Sequence, residues 1–302
     1  LTQPPPPAPL RWGAEDLWLA LEPLLPGLTV EVVARIGSTN TELLTRARQA
    51  PADGLKPALL VAEQQTAGRG RQGKAWQSAT GPAALGASLT FSLALPLAPA
   101  DWSGLSLAVG LALAEALDPA TPGQPPRLGL KWPNDLILLD DGGRAAHIGR
   151  KLGGILIETV QVAIPGQGPQ RLAVLGIGLN IQPLPPRDAA DAPVLSWGHA
   201  SVHELQPGLD APATLARVLP PLVRAMRAFE AQGFAPLQAA FARRDVLAGR
   251  TVATTLPALP QGRADGVDAT GTLWLHTGSG RHPVSSGDVS LKPLATASTA
   301  PC

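Results

Sequence analysis

The chain has 302 residues, a formal net charge of +1, 45% hydrophobic and 16% charged residues, 32 glycines and 33 prolines. That balance excludes a largely disordered chain and leaves no global field for nucleic acid or an anionic bilayer, so any anion binding has to come from local clusters. One cysteine, Cys302, excludes an internal disulfide framework and a cysteine-based zinc site, and fits a reducing, cytoplasmic setting.

Residues 1–9 are proline-rich without the basic and apolar regions of a secretory signal, and are read as a disordered arm. From Arg11 to Gly27, Leu17, Trp18, Leu21, Leu24 and Leu25 follow helical spacing. Thr29 to Ile36 is rich in β-branched residues, and Thr39 with Glu42 has capping-box spacing for a helix ending before Pro51. Ala58 to Ala62 reads as a buried strand, and Leu89 to Leu95 as a strand with one buried face. The uncharged stretch from Ala75 to Ala100 is broken by Gly81, Pro82, Pro96 and Pro99, so no transmembrane span is read. Trp102 to Leu117 fits one helical face.

Three apolar runs follow: Leu128 to Leu139 interrupted at Pro133, Leu152 to Val160, and Leu172 to Ile181. With Asp141-Gly142-Gly143 and Pro165-Gly166 as turns, they predict adjacent strands of one mixed sheet. Leu215, Leu219, Leu222, Met226 and Phe229 mark a long helix bent at Pro220-Pro221, with a second helix over Leu237 to Leu247. Beyond Gly249 come short β-like runs such as Leu273-Trp274-Leu275, as in a small β-barrel. The expected fold is therefore α+β, a mixed sheet flanked by helices over residues 10–247, a small barrel over 248–295 and a tail over 296–302.

The stretch from Gly68 to Trp76, Gly-Arg-Gly-Arg-Gln-Gly-Lys-Ala-Trp, packs three cations among three glycines. Its spacing matches a dinucleotide fingerprint and nearly a P-loop, but Ala75 stands where the P-loop needs Ser or Thr, and no helix signal follows. What remains is a loop whose amides and guanidinium groups wrap a phosphate or carboxylate. The chain has five lysines against 19 arginines, which makes Lys131 in Lys-Trp-Pro-Asn-Asp and Lys151 in Lys-Leu-Gly-Gly-Ile-Leu-Ile-Glu conspicuous at strand ends. Alone, either could be an exposed lysine at a turn. Ser38-Thr39-Asn40 could be a helix cap, and Gly176-Ile177-Gly178-Leu179-Asn180 a close-packed strand. The five histidines include no zinc-protease pattern.

Taken together and in this order, these five motifs resemble the biotin protein ligases, strongly over Ile36 to Asn180 and more weakly over Gly249 to Leu291. The resemblance implies a class II synthetase-like fold and a two-step reaction. Biotin and MgATP give biotinyl-5′-adenylate and pyrophosphate, then a lysine of the biotin carboxyl carrier protein of acetyl-CoA carboxylase takes the biotinyl group. It implies that Ser38, Thr39, Gln65, Gly68, Arg69, Lys151, Gly154 and Gly178 hold biotin, and that Arg69, Arg71, Lys74, Trp76, Lys131 and Asn180 hold ATP or the adenylate. Lys151, Arg69 and Asp135 are the expected catalytic groups, with Asp135 also the candidate Mg²⁺ ligand.

Departures from the family pattern are a lengthened segment from Ala79 to Gly86, Gln72 at a position often basic, and a long turn from Leu138 to Gly149. Some relatives carry an N-terminal helix-turn-helix and repress transcription; the 37 residues before Ser38 are too few for that module, so a ligase that does not bind DNA is expected, as monomer or homodimer. The alternatives are a lipoate-type protein ligase and a non-catalytic biotin-binding regulator.

Overall fold

β-Branched and aliphatic runs supply the strands, and the helices form where apolar residues recur every three to four positions. The computed structural model describes residues 10–49, 55–76, 85–139, 149–164, 168–183, 198–284 and 291–293. Strands β1 (Thr29–Ile36), β2 (Ala58–Gln65), β3 (Ser88–Pro96), β4 (Leu128–Lys131), β5 (Asp135–Leu138), β6 (Arg150–Ile164) and β7 (Gly168–Asn180) form one sheet in the order β1-β2-β3-β7-β6-β5-β4. β1 and β2 are parallel and the remaining neighbours antiparallel, so the sheet is mixed as expected. The two turns expected after β5 and β6 lie outside the described residues.

The helices are α1 (Ala14–Leu21), α2 (Thr39–Gln49), α3 (Leu105–Leu117), α4 (Val202–Leu205), α5 (Ala211–Gln232) and α6 (Gln238–Ala242). One sheet face, with Leu89, Phe91, Leu93, Ile155, Leu175 and Ile177, packs against α1, α3 and α5 in the main core. On the other face Leu60, Ala94, Leu172 and Val174 lie under Leu43, Leu44 and Ala47 of α2. β3 is therefore buried on both faces rather than on one, because α2 covers the side that alternation assigns to solvent. α2 shields only half of that second face, and the uncovered half becomes the site described below.

α3 starts at Leu105, three residues later than the periodicity suggests, while Trp102 stays outside it with the Arg171 guanidinium 5.1 Å from its ring centre. α5 runs through Pro220 and Pro221, with Asp210 capping its start by accepting from Ala213 N–H at 2.8 Å. The helix expected over Leu237 to Leu247 stops at Ala242, because the chain leaves it to pair with β4. Leu130 N–H donates to Arg244 O at 2.7 Å and Val246 N–H to Leu130 O at 3.1 Å. That pairing covers what would otherwise be an open sheet edge. α4, which the sequence reading missed, begins at a capping box of Ser201 and Glu204.

Strands β8 (Thr251–Thr254), β9 (Gln261–Val267), β10 (Leu273–Thr277), β11 (Gly280–Val284) and β12 (Leu291–Pro293) make a second, antiparallel sheet in the order β11-β10-β9-β8-β12, where the small barrel was expected. It is tied to the larger unit by Trp132 Nε1–H to Gly271 O at 3.1 Å and Gln238 Nε2–H to Val267 O at 2.7 Å. Among the described residues no helix is long and apolar enough to cross a membrane.

Candidate active site

The half of the sheet that α2 leaves uncovered opens into a cavity of about 500 Å³. Its floor follows from strand register. Thr90, Gly178, Gly154 and Asp135 stand in one row across β3, β7, β6 and β5. Ser92, Gly176 and Leu156 form the next row. Glycine is required in both: a Cβ at Gly178 would sit 2.4 Å from the Trp76 indole, and one at Gly176 would sit 2.3 Å from Asn40 Oδ1. The Gly-x-Gly of β7 thus removes side chains where others must reach the sheet surface.

Lys151 reaches the cavity by an irregularity in β6. Leu136 of β5 pairs with Gly153 and Ile137 with Lys151, so Leu152 is an extra residue, a β-bulge. The phase change brings Lys151 to the side of Gly154 and Asp135, while Leu152 is fully buried in the core. Lys151 Nζ donates to Asp135 Oδ1 at 2.6 Å, and Lys131 Nζ lies 3.5 Å from Asp135 Oδ2. Burial alone would raise the Asp135 pKa, but the two ammonium groups outweigh it and hold the carboxyl below its ordinary range. Lys131 is pushed down from the ordinary lysine value by burial, partly offset by Asp135.

Each Asp135 oxygen faces a lysine ammonium group, and the described residues contain no cluster of three or more His, Cys, Asp or Glu side chains, so a magnesium at Asp135 would draw most of its ligands from nucleotide phosphates and water. The place of Asp135 also suits a counter-charge that keeps two lysines close together.

The glycine-rich stretch crosses the mouth as a narrow ribbon. Arg69 pairs with Ala75 in an antiparallel bridge, Gly70 N–H donates to Lys74 O at 2.6 Å and Trp76 N–H to Gly68 O at 2.9 Å. A single 3₁₀ turn, Arg71–Gly73, forms its tip, and Lys74 and Ala75 continue as extended, bridge-paired chain where both motifs need a helix to start, which removes the dinucleotide and P-loop readings. Arg71 Nη1 donates to Asn134 Oδ1 at 3.4 Å, while Arg69 lies 3.3 Å from Glu158 and 3.4 Å from Thr41 Oγ1. The Trp76 indole lies over Gly178 and Gly154, and its buried Nε1–H has no partner among the described residues.

The opposite wall is the start of α2. Thr39 N–H donates to Gln65 Oε1 at 2.8 Å, so the side chain of β2 caps the helix that Ser38-Thr39-Asn40 begins.

The cavity brings together Ser38, Thr39, Gln65, Arg69, Arg71, Lys74, Trp76, Lys131, Asp135, Lys151, Gly154 and Gly178. Gly68 stands beneath the ribbon where the Trp76 carbonyl crosses it. Asn180 lies behind the wall, buried, donating from Nδ2 to the carbonyls of Lys151 at 3.2 Å and Ala200 at 3.0 Å. It thereby fixes the backbone from which Lys151 projects.

Sequence reasoning gave no role to Asn134, Asn40, Ser92 or Glu158. Asn134 joins the ribbon to β6, accepting from Arg71 and donating to Ile155 O at 2.8 Å. The available signals were polar residues inside apolar runs, Ser92 in β3 and Glu158 in β6, which have to be partnered when buried.

Comparison with known proteins agrees with this geometry. Residues 32–180 match the Biotin/lipoate A/B protein ligase family and residues 249–292 match the Biotin protein ligase C terminal domain. The Biotin--[acetyl-CoA-carboxylase] ligase of Mycobacterium tuberculosis is 35% identical over 267 residues, covering 86% of this chain and 88% of that protein. The enzyme of the same name from Paracoccus denitrificans is 34% identical, covering 85% of this chain and 98% of its own length. In structure, the biotin protein ligase from Aquifex aeolicus, solved with biotin and ATP, superposes with a TM-score of 0.64 at 23% identity, over 88% of this chain and 99% of that one. A shared sheet, a ribbon of Arg and Gly over a lysine-lined cavity, and likeness to these relatives along most of the chain place it in the biotin protein ligase family.

Proposed function

We propose that this chain activates biotin with ATP as biotinyl-5′-adenylate and transfers the biotinyl group to a lysine of the carrier protein of acetyl-CoA carboxylase. The observation that carries the reading is the Lys151–Asp135–Lys131 cluster on the cavity floor beneath Arg69 and Arg71 of the ribbon. Relatives that bear the ligase name along most of this chain's length support it.

In the first step a biotin carboxylate oxygen attacks the α-phosphorus of ATP and the bond to pyrophosphate breaks. Two anions have to approach, and charge spreads over the phosphoryl oxygens in the transition state. Lys151, Arg69 and Arg71 offer preorganised cations from both sides, so no covalent enzyme nucleophile is needed. The nucleotide's magnesium enters as part of the substrate, and no step is assigned to a protein-held metal.

In the second step the acceptor amine attacks the acyl carbon, AMP leaves and the amine sheds a proton. Asp135 is a poor base for that proton, since both its oxygens face ammonium groups that favour the charged form. Its role here is to position Lys151. Thr39, Ser38 and Gln65 form the polar wall for the head group, and the Trp76 Nε1–H, which has no partner among the described residues, supplies a donor to the bound acid or adenylate. Asn180, which lies behind the wall, supports Lys151 from its buried place.

Residues 10–247 form the catalytic unit and 248–295 the small C-terminal unit in this reading. The net charge of +1 and the single cysteine support a ligase that does not bind DNA and works in the cytoplasm, as a monomer or homodimer. Biotin-dependent exchange of labelled pyrophosphate into ATP, with lipoate as competing acid, tests the reading. Exchange that needs biotin and ignores lipoate is expected; exchange driven by lipoate would reassign the acid, and biotin binding with no exchange would leave a binding protein.

A further inference from the structure

Glu158 takes no part in the chemistry above, yet its carboxylate joins two walls of the cavity. Oε1 stands 3.3 Å from Arg69 Nη2 on the ribbon, and Oε2 accepts from Asn40 Nδ2 at 3.0 Å at the start of α2. Asn40 Nδ2 also donates to Leu156 O at 3.2 Å, so the amide nitrogen faces two acceptors and the amide oxygen faces Ser92. That orientation is forced, because a flipped amide would set its oxygen against a carbonyl and a carboxylate.

Asn40 Oδ1 can only accept, and the one Ser92 proton is therefore committed to it, at 2.6 Å. Ser92 Oγ lies 2.7 Å from Thr39 Oγ1 and is left to accept from that hydroxyl, which is closer to it than to Gln65 Oε1 at 3.2 Å. The hydroxyl lone pairs of Thr39 then remain for a donor in the cavity. Every donor in the chain Thr39, Ser92, Asn40 points towards Glu158, and Arg69 points to it from the other side. Only an acceptor-only group can end such a chain from both directions. Ser92, Thr39 and Asn40 are all buried, so a broken link leaves an unpaired polar group out of water's reach.

The geometry points to Glu158 as a positioning residue that locks Arg69 of the ribbon to the Thr39 wall, so that the ribbon stays shut over the activated acid. This rests on the ligase reading. The Arg69 side chain is 51% exposed, and an ion pair so wetted holds little by itself; the coupling comes from one carboxylate shared with the buried chain. In Glu158→Gln an NH₂ replaces one oxygen and has to oppose either the Arg69 guanidinium or the Asn40 amide nitrogen, both donors. Glu158→Asp keeps two accepting oxygens on a shorter arm.

The test loads the full-length wild type, Glu158→Gln, Glu158→Asp and Ser92→Ala with labelled biotin and MgATP. It then chases with unlabelled biotin and follows release of labelled adenylate, alongside KM for biotin and kcat in pyrophosphate exchange. Glu158→Gln is expected to release adenylate about tenfold faster, the scale of losing one hydrogen bond to a charged group, and to raise KM for biotin more than it lowers kcat. Glu158→Asp should restore most of the retention, and Ser92→Ala, which cuts the chain on the Thr39 side with the Arg69 pair intact, should also release faster.

Release from Glu158→Gln at the wild-type rate would overturn the inference. So would a joint loss of kcat, KM and melting temperature that Glu158→Asp does not rescue. Should Glu158→Gln fail to fold, unchanged release from Ser92→Ala overturns it. A wild type without biotin-dependent exchange refutes the ligase reading itself, and this inference with it, whereas exchange with unaltered release refutes only the inference.

Discussion

Asp135 and Asp245 are both largely buried carboxylates beside the β4–β5 edge, and their surroundings drive them in opposite directions. Burial acts on each to favour the neutral acid. At Asp135 the ammonium groups of Lys151 and Lys131 reverse that effect and hold the pKa below the ordinary range. At Asp245, where the chain turns to pair with Leu130 of β4, only backbone N–H groups oppose it, including Leu247 N–H donating to Oδ1 at 2.9 Å. Oδ2 has no partner among the described residues, and the pKa is pushed up to about 6. A buried carboxylate is kept charged by the cations that chemistry requires beside it, and the cavity has them while the domain junction does not.

Removing a clamp should have the largest effect. Lys151→Ala is expected to lower pyrophosphate exchange by 100-fold or more, about 3 kcal/mol of transition-state stabilisation, as for other preorganised electrostatic donors. Wild-type exchange in this variant would mean that the lysine holds Asp135 and touches no substrate.

Replacing the carboxylate comes next. Asp135→Asn leaves two ammonium groups facing each other without a counter-charge and should cost roughly 2 kcal/mol of folding stability. That is less than a fully enclosed pair would lose, because Lys151 remains one-third exposed. Urea unfolding at neutral pH measures it, and a gain in stability would show that the lysines do not need the acid.

At Asp245 the sign is opposite. Its folded pKa of about 6 lies above the ordinary aspartate value of 3.8, so between these values the folded state keeps a proton that the unfolded chain has lost. Stability therefore falls as pH rises across that window, by up to about 3 kcal/mol, and the loss is complete above it. Asp245→Asn should flatten this fall, so that wild type and variant converge near pH 4 and separate towards pH 7 in urea titrations. Parallel curves would locate the proton elsewhere. The smallest effect belongs to the exposed Arg46–Glu31 pair at 2.6 Å, where Glu31→Gln should cost below about 0.5 kcal/mol.

Much of this was legible in the sequence where the determinants are local. β1 coincides with the β-branched run Thr29 to Ile36, α2 with its Ser-Thr-Asn start, and the lysines with their glycine-flanked strand ends. What stayed hidden depends on partners far along the chain. α6 ends early because Arg244 and Val246 pair with a strand more than a hundred residues upstream, and β3 is doubly buried because α2 lies across it. Asn180 carries a motif position yet serves from behind the wall, since its amide meets the Lys151 and Ala200 carbonyls. Glu158 closes its chain with Asn40, 118 positions away. No window of sequence contains that pair.

The extra residue at Leu152 decides on which side of the sheet Lys151 stands. Were β6 to pair without the bulge at its present length, Leu152 would face Ile137 on the Gly154 side, and Lys151 would turn from Asp135 into the hydrophobic layer with its charge unpaired. Deleting Leu152 would instead leave Lys151 opposite Ile137 and on the cavity side, because alternation from Gly154 then reaches it directly, and would remove only a buried core side chain. Any apolar side chain of similar volume could fill that core position. The strand thus carries a reading frame as well as a composition, and the bulge is what keeps the frame.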